Sequence, residues 1–183
     1  YKLVPFKKNS DDGNKFMDAE ALYDRLMNVY RFDSLHKEGV NYDYYNLYTF
    51  LAVCPVRDAF YNTAEVLLNK GDKEKARNLL LKVMEIMPDE IYPYNIAIFQ
   101  GMNEWDMLGI IEGLIRVGEK EKAAQAGLRL GEETLQTIIY FSEQIGPTED
   151  DIRDSRISQT AVTTYLYLTR VFSESGMKEV EDE

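Results

Sequence analysis

Apolar side chains recur along most of the chain at intervals of three and four residues, which places them on one face of an α-helix. Short polar segments that contain glycine or proline interrupt this pattern and divide it into separate helical segments. The segments predicted in this way are a helix from Asp18, a hairpin over about 57–88, a second hairpin over about 104–145 and a long helix over about 148–175. The pattern therefore predicts an all-α fold.

Two further segments lie beside these helices. Residues 1–15 lack the helical pattern and are expected to form an extended lead-in. The aromatic segment 41–55 is expected to form a short helix from about Tyr44. We expect this helix to end before Pro55, because a residue that precedes proline avoids helical backbone angles. With a truncated helix after Gly176, we expect about eight helices and no strand.

Two six-residue segments of the chain are nearly identical, GDKEKA at 71–76 and GEKEKA at 118–123. Each stands where the apolar pattern of one helix ends and that of the next begins. The glycine can end a helix because it adopts the left-handed backbone conformation without a Cβ penalty. The alanine is the first residue that faces the partner helix, where a small side chain allows close approach. The segments therefore predict two hairpins offset by 47 residues (118 minus 71).

The spacing of these residues resembles that of tetratricopeptide repeats. The residues that carry the resemblance are Ala64, Gly71, Ala76 and Pro88 in the first hairpin and Gly118 and Ala123 in the second. The second hairpin lacks the terminal proline and has Ile111 where the family has a small residue. The offset of 47 residues also exceeds the regular period of about 34. The resemblance therefore implies helical hairpins of tetratricopeptide-like type, stacked in a short irregular right-handed array.

A second resemblance rests on the order of longer segments. YKLVPFK, LYDRLMNVYRF and AEVLLNKGDKEKARNLLLKVMEIMP resemble the C-terminal part of a family of large Gram-negative multi-pass membrane proteins of unknown function. The membrane half of that family is similar to protein O-mannosyltransferases. The resemblance implies that residues 1–15 link an upstream membrane region to one helical-repeat domain, 16–183, on the periplasmic or extracytoplasmic side. The catalytic acid of such an enzyme would lie in the membrane half, so no residue here inherits it.

Composition narrows the classes of partner. The net charge of −11 argues against nucleic acid, whose phosphates require lysine and arginine, and against anionic lipid surfaces. The chain is 45% hydrophobic, enough to form a core, and its single cysteine excludes an internal disulfide. No apolar run approaches the roughly 20 residues that cross a bilayer. Because the chain starts at Tyr1 rather than Met, we expect a soluble piece of a longer protein, attached to a membrane only through an upstream segment.

Catalytic and metal-binding candidates are few. His36, the single histidine, lies 18 residues from Cys54 (54 minus 36), and neither has the neighbours of an activated nucleophile. Asp150, Asp151 and Asp154 could be interpreted as a metal cluster. However, acidic residues at a helix start are expected from the helix dipole, and no loop has a calcium-site pattern. We therefore expect no catalytic residue, no metal and no cofactor in this chain.

The tyrosine-rich segment 42–50 has two interpretations. Its tyrosines could cover the exposed apolar face of the first hairpin, because the terminal units of repeat arrays need a cap. They could instead form a surface on which a sugar or peptide stacks, since tyrosine combines an apolar ring with a polar tip. The sequence favours the cap. The residues concerned are Tyr42, Tyr44, Tyr45 and Tyr48.

A candidate groove follows from the alignment of the two hairpins. In tetratricopeptide-like hairpins the first helix lines the concave face, so the first helices of the two units would be neighbours. The residues brought together in this way are Tyr61, Asn62, Glu65 and Asn69 from the first hairpin and Trp105, Glu112 and Arg116 from the second. Aromatic, amide and guanidinium groups of this kind suit a protein or peptide partner. An ordinary half-exposed helix face would have a similar composition.

We therefore expect a non-catalytic protein–protein interaction or scaffolding domain, attached to a membrane glycosyltransferase-like protein outside the cytoplasm. One alternative is a purely structural or dimerisation domain that braces the membrane half. Another is an acceptor- or sugar-binding accessory domain of a protein O-glycosyltransferase. The oligomeric state and the identity of the partner do not follow from the sequence.

Overall fold

The computed structural model describes residues 17–32, 53–96, 98, 105–144 and 149–177, and these residues are all-helical with no strand. The elements are α1 (Ala19–Asp24), continued by a π-helical segment (Arg25–Val29), then α2 (Val53–Asn69), α3 (Lys73–Ile86), α4 (Trp105–Val117), α5 (Lys120–Gln144) and α6 (Glu149–Glu174). The predicted all-α class is confirmed. The predicted short helix near Tyr44 and the truncated helix beyond Met177 lie outside the described residues, so six α-helices stand beside the expected eight.

The predicted helix end before Pro55 is wrong. Helix α2 begins at Val53, so Cys54 is helical although it precedes a proline. Pro55 lies in the first turn of α2, where a backbone N–H has no intrahelical acceptor and its loss therefore costs no hydrogen bond. The proline is thus compatible with the beginning of one helix instead of marking the end of another.

Three glycines end helices with the same geometry. Gly71, Gly118 and Gly176 have φ values of 87°, 94° and 73°, and they follow α2, α4 and α6. After α2, the amide of Asp72 donates to the carbonyl of Leu67 at 2.9 Å, and equivalent bonds follow α4 and α6. These bonds satisfy carbonyl groups that the end of a helix would otherwise leave without a donor. Ala76 and Ala123, the alanines of the two hexapeptides, are fully buried.

Helix α4 lies at the centre of the packing, in contact with α2, α3, α5 and α6. It is buried around most of its circumference because helices cover it from several directions. Its buried residues are Asp106, Met107, Leu108, Gly109, Ile110, Ile111, Gly113, Leu114 and Val117. Helix α5 packs along α6, and α1 packs on α2. The main apolar core therefore runs from α1 to the C-terminal part of α6.

The connector between α3 and α4, described over residues 87–96 and 98, is held by two charged side chains. Arg57 of α2 is 1% exposed and donates to the carbonyls of Tyr92 at 2.6 Å and Pro93 at 3.3 Å. Glu133 of α5 accepts from the amides of Tyr94 at 2.9 Å and Asn95 at 3.2 Å through one carboxylate oxygen. The two residues thereby replace the hydrogen bonds that a helix would have supplied to this non-helical segment.

Candidate functional site

The groove residues predicted from the sequence lie on α2 and α4, and side chains from the two helices meet on one surface. We call this surface the α2–α4–α6 face, because one residue of α6 completes it. Its members are Tyr61, Asn62, Glu65 and Asn69 of α2, Trp105, Glu112 and Arg116 of α4, and Tyr167 of α6. The Asn62 side chain is half-buried and makes no hydrogen bond to another described residue.

One end of the face is a polar network between α2 and α4. The guanidinium of Arg116 forms an ion pair with Glu65 and donates to the side-chain oxygen of Asn69 at 3.4 Å. The amide of Asn69 in turn donates to Glu65 at 3.2 Å. Because Glu65 and Arg116 are partly exposed, the pair contributes at most about 1 kcal/mol to stability. Its larger effect is to hold these side chains in a defined arrangement at the surface.

The middle of the face depends on a glycine of α4. The Tyr61 ring lies directly over Gly109, where a Cβ would overlap the ring. The ring therefore packs on the α4 backbone in a position that any larger residue would prevent. Burial, together with the negative charges of Glu65 and Glu112, raises the pKa of Tyr61. A phenol of ordinary pKa, about 10, is already protonated at physiological pH, so Tyr61 keeps its hydrogen-bond donor there.

The other end of the face is an aromatic corner between α4 and α6. The rings of Trp105 and Tyr167 are nearly perpendicular, at 89°, with their centroids 5.3 Å apart. The Tyr167 hydroxyl donates to Glu112 Oε1 at 2.9 Å, and this hydrogen bond is the main cause of a raised pKa at Tyr167. Trp105 remains 52% exposed. The corner is thus a well-positioned aromatic surface open to solvent.

Tyr167 is not among the groove residues predicted from the sequence, although the sequence contains a signal for it. It lies nine residues before the turn glycine Gly176 (176 minus 167), as Asn62 lies nine residues before Gly71 (71 minus 62). Extending the alignment of the two hairpins to Gly176 would have placed Tyr167 on the same face.

Carboxylates outnumber cations on and beside the face. Asp58 precedes Tyr61 by one helical turn, and burial and the nearby Asp106 raise the pKa of its carboxyl group. On α6, Arg170 pairs with Glu174 at 2.6 Å. The four carboxylates are Asp58, Glu65, Glu112 and Glu174, and the two cations are Arg116 and Arg170. These six described groups sum to a formal charge of −2 (two cations minus four carboxylates), which favours a positively charged partner over a negatively charged one.

A cleft of about 370 Å³ between α3, the connector and α5 is a weaker candidate. Its charged lining includes Asp89, Lys122 and Arg129. Arg129 already lies 2.8 Å from Asp89 and 3.0 Å from Glu133, so acidic groups of the protein occupy its guanidinium. The cleft is thus a place where the connector is attached to α5.

Of the side chains of the remaining sequence candidates, the structure describes only that of Cys54, which lies at the start of α2 and is not part of the face. Cys54 is half-buried in the first turn of α2. His36, the tyrosines of segment 42–50 and the side chains of Asp150, Asp151 and Asp154 lie outside the residues that the structure describes. Within the described residues, no group of three or more His, Cys, Asp or Glu side chains could hold a metal ion. In the same part of the chain, every helix is too short or too polar to cross a bilayer.

Comparison of the chain with protein-family models, with curated proteins and with solved structures finds no match. The interpretation of the α2–α4–α6 face therefore depends on its own geometry and charge.

Proposed function

We propose that this chain is a non-catalytic interaction module that binds an extended segment of a partner protein on the α2–α4–α6 face. Within the same proposal, the domain is attached to a membrane glycosyltransferase-like protein and acts outside the cytoplasm. It holds a partner or acceptor polypeptide near that enzyme. The attachment and the compartment rest on the family resemblance of the sequence, whereas the binding face rests on the geometry described above.

A tetratricopeptide-like stack is part of the proposal. Helix α2 contacts α3 and α4, and helix α4 contacts α5 and α6. Helices α2, α4 and α6 end at turn glycines with the same backbone conformation. This order is what stacked helical hairpins require, because each unit buries its apolar side on its neighbours. In such a stack the first helices of successive hairpins line one continuous surface.

The observation that carries the proposal is the exposed Trp105 on an ordered helical surface. A tryptophan that is half exposed leaves a large apolar area in water, and aromatic residues of this kind dominate the binding energy of protein interfaces. Tyr167 supports the indole ring from one side, and Tyr61 packs one helical turn further along α4, against Gly109. The face thus has aromatic groups in fixed positions, which reduces the entropy lost on binding.

The test is selection of ligands from a random peptide library with the chain of 183 residues, followed by affinity measurements on variants. We expect Trp105→Ala to lower the affinity for the selected peptides by about tenfold or more, because an exposed aromatic anchor is lost. Tyr140→Ala is the matched control. Tyr140 is 61% exposed on α5 and also packs edge-on against a neighbouring ring, Phe141, but it lies away from the face.

Peptides that bind the Trp105→Ala variant as well as they bind the unmodified chain would refute the assignment of the α2–α4–α6 face as the binding site. A library selection that enriches no peptide would refute the proposed function itself. Tyr140→Ala should leave the affinities within about twofold of the unmodified chain, because an exposed residue outside an interface contributes little to binding.

The structural alternative has one observation in its favour. Helices α5 and α6 carry large apolar side chains in contact with water, and such side chains are typical of surfaces that pack against another protein. They are Leu135 and Ile139 on α5 and Val162 and Leu166 on α6. A dimer that Leu166→Glu dissociates and Trp105→Ala leaves intact would favour a bracing or dimerisation role.

A further inference from the structure

We infer that the corner formed by Trp105, Tyr167 and Glu112 receives a cationic side chain, an arginine or a lysine, of the bound segment. This inference rests on the proposed function, since it names the chemistry of the partner for the same face. The partner is then a basic peptide segment rather than an acidic or a purely apolar one.

The aromatic part of the corner is arranged for a cation. The electron-rich face of an aromatic ring attracts a guanidinium or ammonium group within about 6 Å, and tryptophan is the most effective ring. The Trp105 and Tyr167 rings meet edge to face at 89° with their centroids 5.3 Å apart, so they are in contact with each other and a cation would lie against the ring surface that this contact leaves open. The exposure of Trp105 leaves its ring accessible from solvent.

The acidic part of the corner is Glu112. One of its oxygens accepts the Tyr167 hydroxyl at 2.9 Å. Among the described residues, no lysine or arginine lies within ion-pair distance of this carboxylate, and its second oxygen accepts no hydrogen bond. Arg170 lies within electrostatic range of Glu112 but is not paired with it. A carboxylate that is held in place by a neighbouring phenol and has no ion-pair partner among the described residues is suited to a positively charged ligand. The same hydrogen bond to Glu112 is the main cause of the raised pKa of Tyr167.

The cations of the same surface are already occupied. Arg116 is paired with Glu65, and Arg170 is paired with Glu174. An acidic ligand would therefore have to displace a carboxylate of the protein from one of these guanidinium groups. A basic ligand would meet Glu112 directly, and the excess of carboxylates around the corner would favour its approach.

Trp105 is the single tryptophan of the chain, so its indole N–H gives one NMR signal that reports this corner alone. The probes are acetyl-Gly-Arg-Gly-amide and the matched peptide with citrulline, which has the shape of arginine without its charge. We expect the arginine peptide to shift the indole signal saturably at millimolar concentration. The citrulline peptide should bind with a dissociation constant at least about fivefold higher. Raising the salt concentration should reduce the difference, because ions screen charges beyond about 8 Å at physiological ionic strength.

The decisive variant is Glu112→Gln, which keeps an acceptor for the Tyr167 hydroxyl and removes the charge. We expect it to lower the affinity for the arginine peptide about fivefold and to leave the affinity for the citrulline peptide unchanged. The matched control is Glu132→Gln, an exposed carboxylate on α5 away from the corner. It should change neither affinity. A far-UV circular dichroism spectrum confirms that each variant folds.

Equal binding of the arginine and citrulline peptides would overturn the inference, as would unchanged binding of the arginine peptide by Glu112→Gln. A library selection that yields peptides dependent on Trp105 but rich in Asp and Glu would overturn it while leaving the proposed function standing. Failure of the proposed function is the separate result in which the library selection enriches no peptide, and failure of the face is the result in which the selected peptides bind without depending on Trp105.

Discussion

At the scale of single residues, glycines inside helices determine how closely neighbouring helices approach. Gly109 receives the Tyr61 ring, Gly113 receives the Leu80 side chain, and Gly127 receives the Phe172 ring. A glycine inside a helix costs about 1 kcal/mol relative to alanine. At these positions the cost is offset by contacts that a Cβ would prevent. The turn glycines act differently, because their positive φ angles rather than close packing require them.

Gly127 and Gly131 of α5 allow this argument to be tested on one helix. A Cβ at Gly127 would overlap the Phe172 ring, whereas a Cβ at Gly131 would lie 3.6 Å from Leu168, an ordinary contact. We expect Gly127→Ala to lower the free energy of unfolding by about 1 to 2 kcal/mol, because overpacking exceeds the gain in helix propensity. Gly131→Ala should raise it by about 0.5 to 1 kcal/mol.

Urea denaturation of both variants measures these changes. The same sign of effect at both positions would show that helix propensity, rather than contact with α6, decides the outcome on this side of α5.

At the scale of elements, the connector between α3 and α4 is held by side chains rather than by a regular backbone pattern. Arg57 binds its carbonyls from α2, lies 5.5 Å from the Tyr94 ring centre and lies 3.9 Å from Asp106. Glu133 binds its amides from α5. Because Arg57 and Glu133 come from different hairpins, the connector is attached to both units. Its attachment therefore contributes to the relative position of the helices that form the face.

We expect Arg57→Met to lower the free energy of unfolding by about 3 kcal/mol, since it removes the donor to two buried carbonyls and the cation beside buried Asp106. Methionine keeps the aliphatic part of the side chain, so the loss reports the guanidinium. The control is Arg77→Met, which removes an exposed ion pair with Glu119 and should cost less than about 1 kcal/mol.

Hydrogen exchange gives a second measurement of the same change. The amides of Tyr94 and Asn95 should exchange faster in Arg57→Met than in Arg77→Met. Equal protection in the two variants would mean that Glu133 alone holds the connector.

At the scale of the whole molecule, the chain carries a net charge of −11. Among the described residues, the carboxyl groups of Glu133 and Asp58 are partly withdrawn from water. Burial is the main cause of the raised pKa values of Glu133 and Asp58. When the folded pKa exceeds the unfolded one, the folded state binds the proton more tightly. The stability from these groups is therefore complete below their unfolded pKa values, roughly 4, and is lost as pH rises through the folded values.

We accordingly expect thermal stability to increase as the pH is lowered from 8 to about 5.5, because repulsion among the negative charges falls and the pH moves towards the range in which the folded state takes up protons at these carboxyls more readily than the unfolded state. Added salt should reduce the contribution from charge repulsion and leave the contribution from proton uptake at buried Glu133. Glu133→Gln should make the dependence on pH shallower in high salt. Melting temperatures measured across this range check the prediction, and a stability that falls towards pH 5.5 would contradict it.

Much of the helical framework could be predicted from the sequence. Helices α5 and α6 end within two residues of the predicted positions, and the turns at Gly71 and Gly118 follow the two hexapeptides. Local patterns suffice here because the spacing of apolar residues and the backbone freedom of glycine act over only a few residues. The beginning of α2 could not be predicted in this way, because Pro55 is compatible with both the end and the beginning of a helix.

Part of the candidate site could likewise be predicted from the sequence, and part of it could not. Its α2 and α4 residues were predicted by aligning the two hairpins on Gly71 and Gly118, and side chains from the two helices do meet on one surface. Tyr167, by contrast, meets Glu112 across 55 residues of sequence, and Arg57 meets the carbonyl of Tyr92 across 35. The sequence by itself determined the helices and their turns, because those depend on neighbouring residues. Only the tertiary structure decided which charged and aromatic groups meet, because that depends on how distant helices pack around α4.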